Sequence, residues 1–265
     1  MIAGIVTGSG AHGLPGLDDA KPRTVATPWG RAELTTGRLA GVDVVHVSRH
    51  GEGHRRLSNH VEHRANLWAL REAGADWVVG CTACGAVDAE LPLGSLVVFD
   101  DLYFPANRLP GGELCTFFAE PGDRRRGHWI YEHPFCEPLR EALVAGAERA
   151  GIHARDGGCY GHVDGPRFNT RAEIASLAAA GVAAVSQTGG PETVLAGELE
   201  LPYALMGFAT DYANGVQASP TPVGELVRLM GESGARFAAV LAATLPAIRD
   251  TEPAGAGVVY RFDED

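Results

Sequence analysis

Short apolar runs alternate with amphipathic helical stretches along nearly the whole chain, and few sequence features restrict a fold more tightly. MIAGIV is an apolar run ending in GSG, a buried strand that enters a tight loop. RAELTTGRLAGVDVVHVSRH reads as a hairpin broken around Gly37 and Gly41 and ending at Arg49-His50. From Asn59 to Gly74 the apolar positions Val61, Ala65, Leu67, Trp68, Leu70 and Ala73 fall near helical spacing, with Gly74 as the C-cap. DWVVGC is a strand followed by the small-residue stretch TACGA, and SLVVFDDLYF is another strand. Residues 103–135 are polar, glycine-rich and aromatic, which predicts a long functional loop.

The second half repeats the alternation. EPLREALVAGAERAG is a helix, 159–163 a strand, and TRAEIASLAAAG a helix capped by Asn169 or Thr170. AAVSQ is a strand, PETVLAGELE a helix and YALMGFAT a strand; a long helix over 221–248 and a final strand or tail, GVVYRFDED, follow. This order predicts an α/β fold with a mostly parallel or mixed sheet covered on both faces. No linker or composition break divides the chain, so a single domain over 1–265 is expected. Ligands of such sheets sit beyond the carboxyl ends of strands. That rule singles out Ser9, Arg49-His50, Thr82, Gln187-Thr188 and Thr210-Asp211.

Composition narrows the chemistry. Of 22 basic residues only Lys21 is a lysine. No G-K-[ST] loop exists to grip a nucleoside triphosphate, and Lys21 lies in the loop-like segment DDAKPRT, a poor place for a Schiff base. A net charge of −11 and the lack of a basic stripe argue against a nucleic-acid or anionic-membrane partner. The RRR run at 124–126 reads as a solvated turn. No apolar stretch approaches membrane-span length and the N-terminus lacks a leader pattern, so a cytoplasmic protein is expected. Five cysteines in 265 residues fit reduced thiols better than a disulfide framework.

Two motifs compete for the site. Gly8-Ser9-Gly10-Ala11-His12-Gly13 matches the dinucleotide fingerprint, but LPGLDDAKPRT after it has no helical period to meet a pyrophosphate. A loop holding one small anion survives that objection. His60-Val61-Glu62 followed by Cys81-Thr82-Ala83-Cys84 is similar to the H-x-E…P-C-x-x-C pattern of zinc deaminases, with Gly80 in place of the proline. A zinc-dependent deaminase using His60, Glu62, Cys81 and Cys84 is therefore the reading from a different class. The bland alternative makes both cysteines small buried residues at a strand end.

Read together, SRHG at 48–51, RANLWALREAG at 64–74, TACG at 82–85, HPFCEP at 133–138, GPRFNTRAE at 165–173, GGPETVLAGELELPY at 189–203 and ATDY at 209–212 resemble one family. It is the methylthioadenosine phosphorylase and purine nucleoside phosphorylase family, in the branch whose members are usually trimers. The likeness runs from Ile2 to about Ala247, and its GPRF-x-[ST]-R-A-E and PE-x-VLA-x-E segments are the specific ones. It implies a single-domain three-layer fold with a mixed, partly barrel-like central sheet covered by helices. It implies phosphorolysis of a purine nucleoside to free base and sugar 1-phosphate, with inorganic phosphate as co-substrate and neither metal nor cofactor. The expected assembly is a homotrimer or a dimer of trimers.

The same resemblance assigns residues. Phosphate is expected among Gly8, Ser9, Arg49, His50, Thr82, Ala83 and Thr188, residue types that suit a dianion. Asp211, His50 and Thr188 are the expected catalytic groups. Asp211 would protonate the leaving purine at N7 if burial raises its pKa, and its carboxylate favours a 6-aminopurine over a 6-oxopurine. Phe168, Asn169, Gln187 and Ala213 are expected around the nucleoside. Val223, Leu226 and Met230 would form the pocket for its 5′ substituent, and His128 would reach it from a neighbouring subunit.

Three departures fall in the site. Ala213 replaces the second aspartate of ATDxD, Gln187 replaces a methionine, and SNHVEHRAN puts Glu62 and His63 where asparagine and tyrosine are usual. The expected substrate is 5′-methylthioadenosine. The alternative is 5′-methylthioinosine or another modified purine nucleoside.

Overall fold

The alternating runs assemble into one eleven-stranded sheet. The computed structural model describes residues 1–262 other than His12 and Pro253. The first half holds β1 (Ile2–Thr7), β2 (Asp18–Thr27), β3 (Gly30–Leu39), β4 (Val42–Ser48), α1 (His63–Glu72), β5 (Trp77–Ala86), β6 (Leu96–Val98), β7 (Asp101–Tyr103) and β8 (Gly127–Ile130). The second holds α2 (Glu137–Arg149), β9 (Ala154–Asp156), β10 (Cys159–His162), α3 (Arg171–Ala179), β11 (Val182–Ser186), α4 (Gly189–Glu198), β12 (Tyr203–Tyr212), α5 (Val223–Thr244) and β13 (Val258–Arg261).

The sheet runs in the order β2-β3-β4-β1-β5-β11-β10-β7 and branches at β5, whose other edge carries β12, then β6, then β9. Ten-residue β5 is long enough to pair with β1 along its first half and β11 at its end, while β12 follows it throughout. β1, β4, β5 and β12 are mutually parallel, whereas β3 meets both its neighbours, β6 meets β12 and β11 meets β5 antiparallel, so the sheet is mixed as expected.

Alternation along β5 builds two cores, because successive strand side chains face opposite ways. Val78 and Cys84 pack with Leu67 and Leu70 of α1 and Leu195 of α4. Trp77, Val79 and Cys81 pack with Leu143 of α2 and Phe237 and Leu241 of α5. A third, smaller cluster seats α3 through Ile174 and Leu177. Helices thus cover both faces, and Thr170 starts α3 with a full capping box to Glu173.

Several local expectations need correction. DDAKPRT is not a loop but most of β2, an exposed edge strand where Pro22 lacks no partner it needs. TACGA continues β5. The 103–135 region contains β8, paired with β13 from the chain's far end. SLVVFDDLYF is split into β6 and β7, and α1 begins at His63, after a 3-10 turn over Ser58–His60. Of the last segment, 263–265 lies outside the described residues, as does His12 of the glycine motif.

Candidate active site

The strand ends enclose a cavity of about 330 Å³. Parallel pairing of β1 with β4 sets Thr7 beside Ser48, so Gly8-Ser9 and Arg49-His50 leave the sheet side by side. Thr82 and Ala83 of β5 and Thr188, the N-cap of α4, complete that end. The chain after Gly8 goes into β2, not a helix, which leaves the dinucleotide motif without the helix it requires.

Arg49 is the exception at this end. It does not reach the cavity wall: its side chain is fully buried, its Nε and Nη2 donate to the two oxygens of Glu192, and its Nη1 donates to the Cys81 carbonyl at 2.6 Å. Burial works against its charge, and the Glu192 carboxylate outweighs it, so the guanidinium pKa is raised. Nη1 lies only 2.8 Å from where a Cβ on Gly8 would sit. The cation therefore stands behind the glycine loop, with a bare backbone between it and the cavity.

His50 does line the cavity. Its Nδ1 lies 2.8 Å from the Arg56 carbonyl, which can only accept, so Nδ1 carries the proton and Nε2 presents a lone pair. Burial, then Arg49 and His54, push its pKa down to about 4. His54 stacks on it at 4.3 Å between ring centroids. Thr188 keeps its hydroxyl free of capping. The first amides of α4 donate instead to the Tyr160 hydroxyl and to His162 Nδ1. An anion at this end thus meets hydroxyls, loop amides and imidazole rather than a helix terminus. Thr82 Oγ1 lies 3.0 Å from Ser186 Oγ.

At the other end a register shift in β12 between Ala209 and Asp211 inserts Thr210 and turns Asp211 into the cavity. Asp211 is 8% exposed. Burial raises its pKa, opposed by the hydrogen bond that Thr210 Oγ1 donates to Oδ1 at 2.8 Å. Oδ2 lies beside Gly85, where the missing side chain leaves room for a ligand. Phe168, Asn169, Ala213 and Asn214 surround this end. Gln187 lines the middle, where Ser58 Oγ donates to its Oε1 at 2.8 Å.

Leu226 and Met230 of α5 line the cavity, but Val223 does not. It is the first residue of α5 and 76% exposed, on the same helix face as the other two but at the helix start, short of the cavity. His128 sits on β8 opposite Tyr260 and edge-on to Phe262, not in this chain's cavity. Cys81 and Cys84, three apart on a strand, point to opposite faces and pack into different cores. That geometry removes the paired-cysteine zinc site, and among the described residues no group of three histidine, cysteine or acidic side chains is gathered to hold a metal. Sequence reasoning missed His54, Ser58, Asn214 and Glu192. His54, four residues after His50, and the Pro-Glu pair of PETVLA were the signals available.

Residues 2–246 match the phosphorylase superfamily. The chain is 32% identical over 249 residues to a 6-oxopurine nucleoside phosphorylase of Pyrococcus furiosus, covering 92% of each chain. It is 35% identical over 214 residues to an S-methyl-5′-thioadenosine phosphorylase of Geobacter sulfurreducens, covering 80% of this chain and 73% of the relative. A methylthioadenosine phosphorylase from Schistosoma mansoni, solved with adenine, superposes with a TM-score of 0.83 at 26% identity, over 94% of this chain and 92% of that one.

Proposed function

The chain belongs to the phosphorylase superfamily, within its purine nucleoside phosphorylases, and from that premise we propose that it cleaves 5′-methylthioadenosine with inorganic phosphate. It is a pentosyltransferase. One observation carries the choice of base: a carboxyl, Asp211, buried at the end of β12. The relatives divide between 6-oxopurine and methylthioadenosine enzymes, and this residue supports the 6-aminopurine reading.

Phosphate enters at Gly8, Ser9, Thr82, Ala83 and Thr188. Neutral His50 accepts a hydrogen bond from the phosphate hydroxyl through Nε2, and Arg49 supplies its field through Gly8 instead of by contact. A phosphate oxygen attacks the anomeric carbon as the bond to the purine breaks, with positive charge growing on the sugar and negative charge on the base. Protonated Asp211 delivers its proton to N7 and, as a carboxylate, accepts from the 6-amino group. Its burial favours the protonated form before departure of the base. Leu226 and Met230 receive the apolar 5′ substituent.

The chain acts in this reading as one phosphorylase domain without metal or organic cofactor, in the cytoplasm, where its five free thiols stay reduced. It acts as a homotrimer or a dimer of trimers, with His128 covering a neighbour's cavity. Ala213 favours one further substrate: lacking the second carboxylate, the base end also admits 5′-methylthioinosine.

The test is a panel of 5′-methylthioadenosine, adenosine, 5′-methylthioinosine and inosine, with and without phosphate, resolved by mass. Phosphate-dependent release of adenine and a sugar 1-phosphate, fastest from methylthioadenosine, is expected. Faster cleavage of the oxo compounds overturns the base assignment, and cleavage without phosphate overturns the reaction.

A further inference from the structure

We propose that Gln187 and Asn214 are positioning residues that pin the segment 165–169, and with it Phe168, over the base end before any nucleoside arrives. The inference rests on reading the cavity as a nucleoside site. Phe168 is 61% exposed, so no core contact fixes its ring. Two amides that rise from the cavity wall hold the backbone on either side of it, and Arg167 Nη1 donates to the Phe168 carbonyl at 3.1 Å. Gln187 Nε2 donates to the Arg167 carbonyl at 3.1 Å, and Asn214 Nδ2 donates to the Asn169 carbonyl at 2.7 Å. The two ties grip the residues on either side of Phe168.

Gln187 is itself anchored. Ser58 Oγ donates to its Oε1, so one side chain bridges the turn over Ser58–His60, the end of β11 and the segment that bears Phe168. Gly165 is shaped to this bridge, because a Cβ there would overlap both Gln187 Oε1 and Ser58 Oγ. A third, outer tie runs from Arg167 to Glu173 at the start of α3. Gln187 is also a position at which the chain departs from its family's pattern, and Asn214 directly follows another, Ala213. Both then have a physical purpose: a segment ordered in advance does not have to be ordered by the substrate.

The experiment compares Gln187→Met, Asn214→Ala, the double variant and Gln187→Glu. Nucleoside and phosphate KM are measured separately with 5′-methylthioadenosine, and hydrogen exchange over 163–170 is followed in ligand-free protein. Each single variant is expected to raise the nucleoside KM about three- to tenfold, the worth of one hydrogen bond, with kcat falling by less than that. Phosphate KM stays within about twofold, and exchange over 163–170 quickens. Gln187→Glu keeps the acceptor for Ser58 but loses the donor for Arg167, and is expected to behave like Gln187→Met. Unchanged exchange, a Gln187→Glu variant that matches the unaltered protein, or equal losses toward both substrates would overturn the proposal. If the unaltered protein cleaves no nucleoside, the functional reading fails, and exchange alone decides the pinning.

Discussion

Arg49 and Glu192 form a bidentate ion pair sealed from solvent directly behind Gly8. Glu192 also accepts from the Tyr203 hydroxyl at 3.0 Å, and His63 Nδ1 stands 3.8 Å from its Oε1. The pair fixes a cation beside the anion end of the cavity while cancelling most of its charge. In the proposed reaction, neutralisation of the phosphate dianion would fall largely to hydroxyl and amide dipoles, with the guanidinium braced behind them.

Glu192→Gln leaves a guanidinium buried without its counter-charge. Breaking such a pair costs about 3–5 kcal/mol, so a large fall in Tm is expected, together with a raised phosphate KM. Arg49→Met with Glu192→Leu removes both charges and is expected to recover most of the stability but not the phosphate KM. A double variant with native phosphate KM would mean that Arg49 serves the fold alone.

Asp211→Asn tests the base end. An amide can donate to a 6-oxo group and has no proton for N7, so the ratio of kcat/KM values for methylthioadenosine and methylthioinosine should move at least tenfold toward the oxo compound. The substitution also has a stability signature. Burial raises the Asp211 pKa, so its ionised form opposes folding at neutral pH, and that penalty vanishes as pH falls below the ordinary carboxylate range near ~4. Asp211→Asn should raise Tm at pH 7, and the gain should shrink steadily as pH falls toward the ordinary carboxylate range. Equal base preference in both proteins would remove Asp211 from the reading.

The places where sequence reasoning succeeded and failed have distinct causes. Asp211 and Thr188 were legible because strand ends converge in any sheet of this type, and Thr170 because a capping box is local. The burial of Arg49 was not, since its partner Glu192 is 143 residues away and nothing local says which way a guanidinium turns. β8 was hidden for the same reason, its ladder being made with β13. Lys21 was misplaced because β2 is exposed along most of its length and carries a proline, so it lacks the alternation by which half-buried strands are recognised.

Acid stability should be set by buried imidazoles. Burial first, and Arg49 second, push His46 down to about 4 and His63 to about 3; burial and then His63 push His162 to about 3. A histidine whose folded pKa is depressed contributes stability above its unfolded value near ~6.5 that is lost as pH falls toward the folded one. Each group is worth on the order of a few kcal/mol at the acid end. Tm should be level above pH 7 and fall steeply between about pH 6.5 and 3. Both ring nitrogens of fully buried His63 lack a hydrogen-bond partner, so His63→Phe should shorten that acid limb and stabilise the protein by about 1–3 kcal/mol. An acid limb unchanged in this variant would assign the lability elsewhere.

The structure separates two positions that the sequence had grouped around the proposed 5′ pocket. Met230 lines the cavity and Val223, seven residues earlier on α5, faces solvent. A hydrophobic pocket distinguishes a methylthio group from a hydroxyl by about 1–3 kcal/mol, or roughly ten- to two-hundredfold. Shortening Met230 to alanine removes most of the apolar surface offered there, so methylthioadenosine should lose that advantage over adenosine while adenosine itself is cleaved at a similar rate. Val223→Ala, made at the exposed first turn of the same helix, should leave the ratio within about twofold, since exposed substitutions have small effects. If Val223→Ala lowers the ratio as much as Met230→Ala, the exposed face of α5 is closed over the cavity by another subunit, and the 5′ pocket belongs to the assembly instead of the single chain.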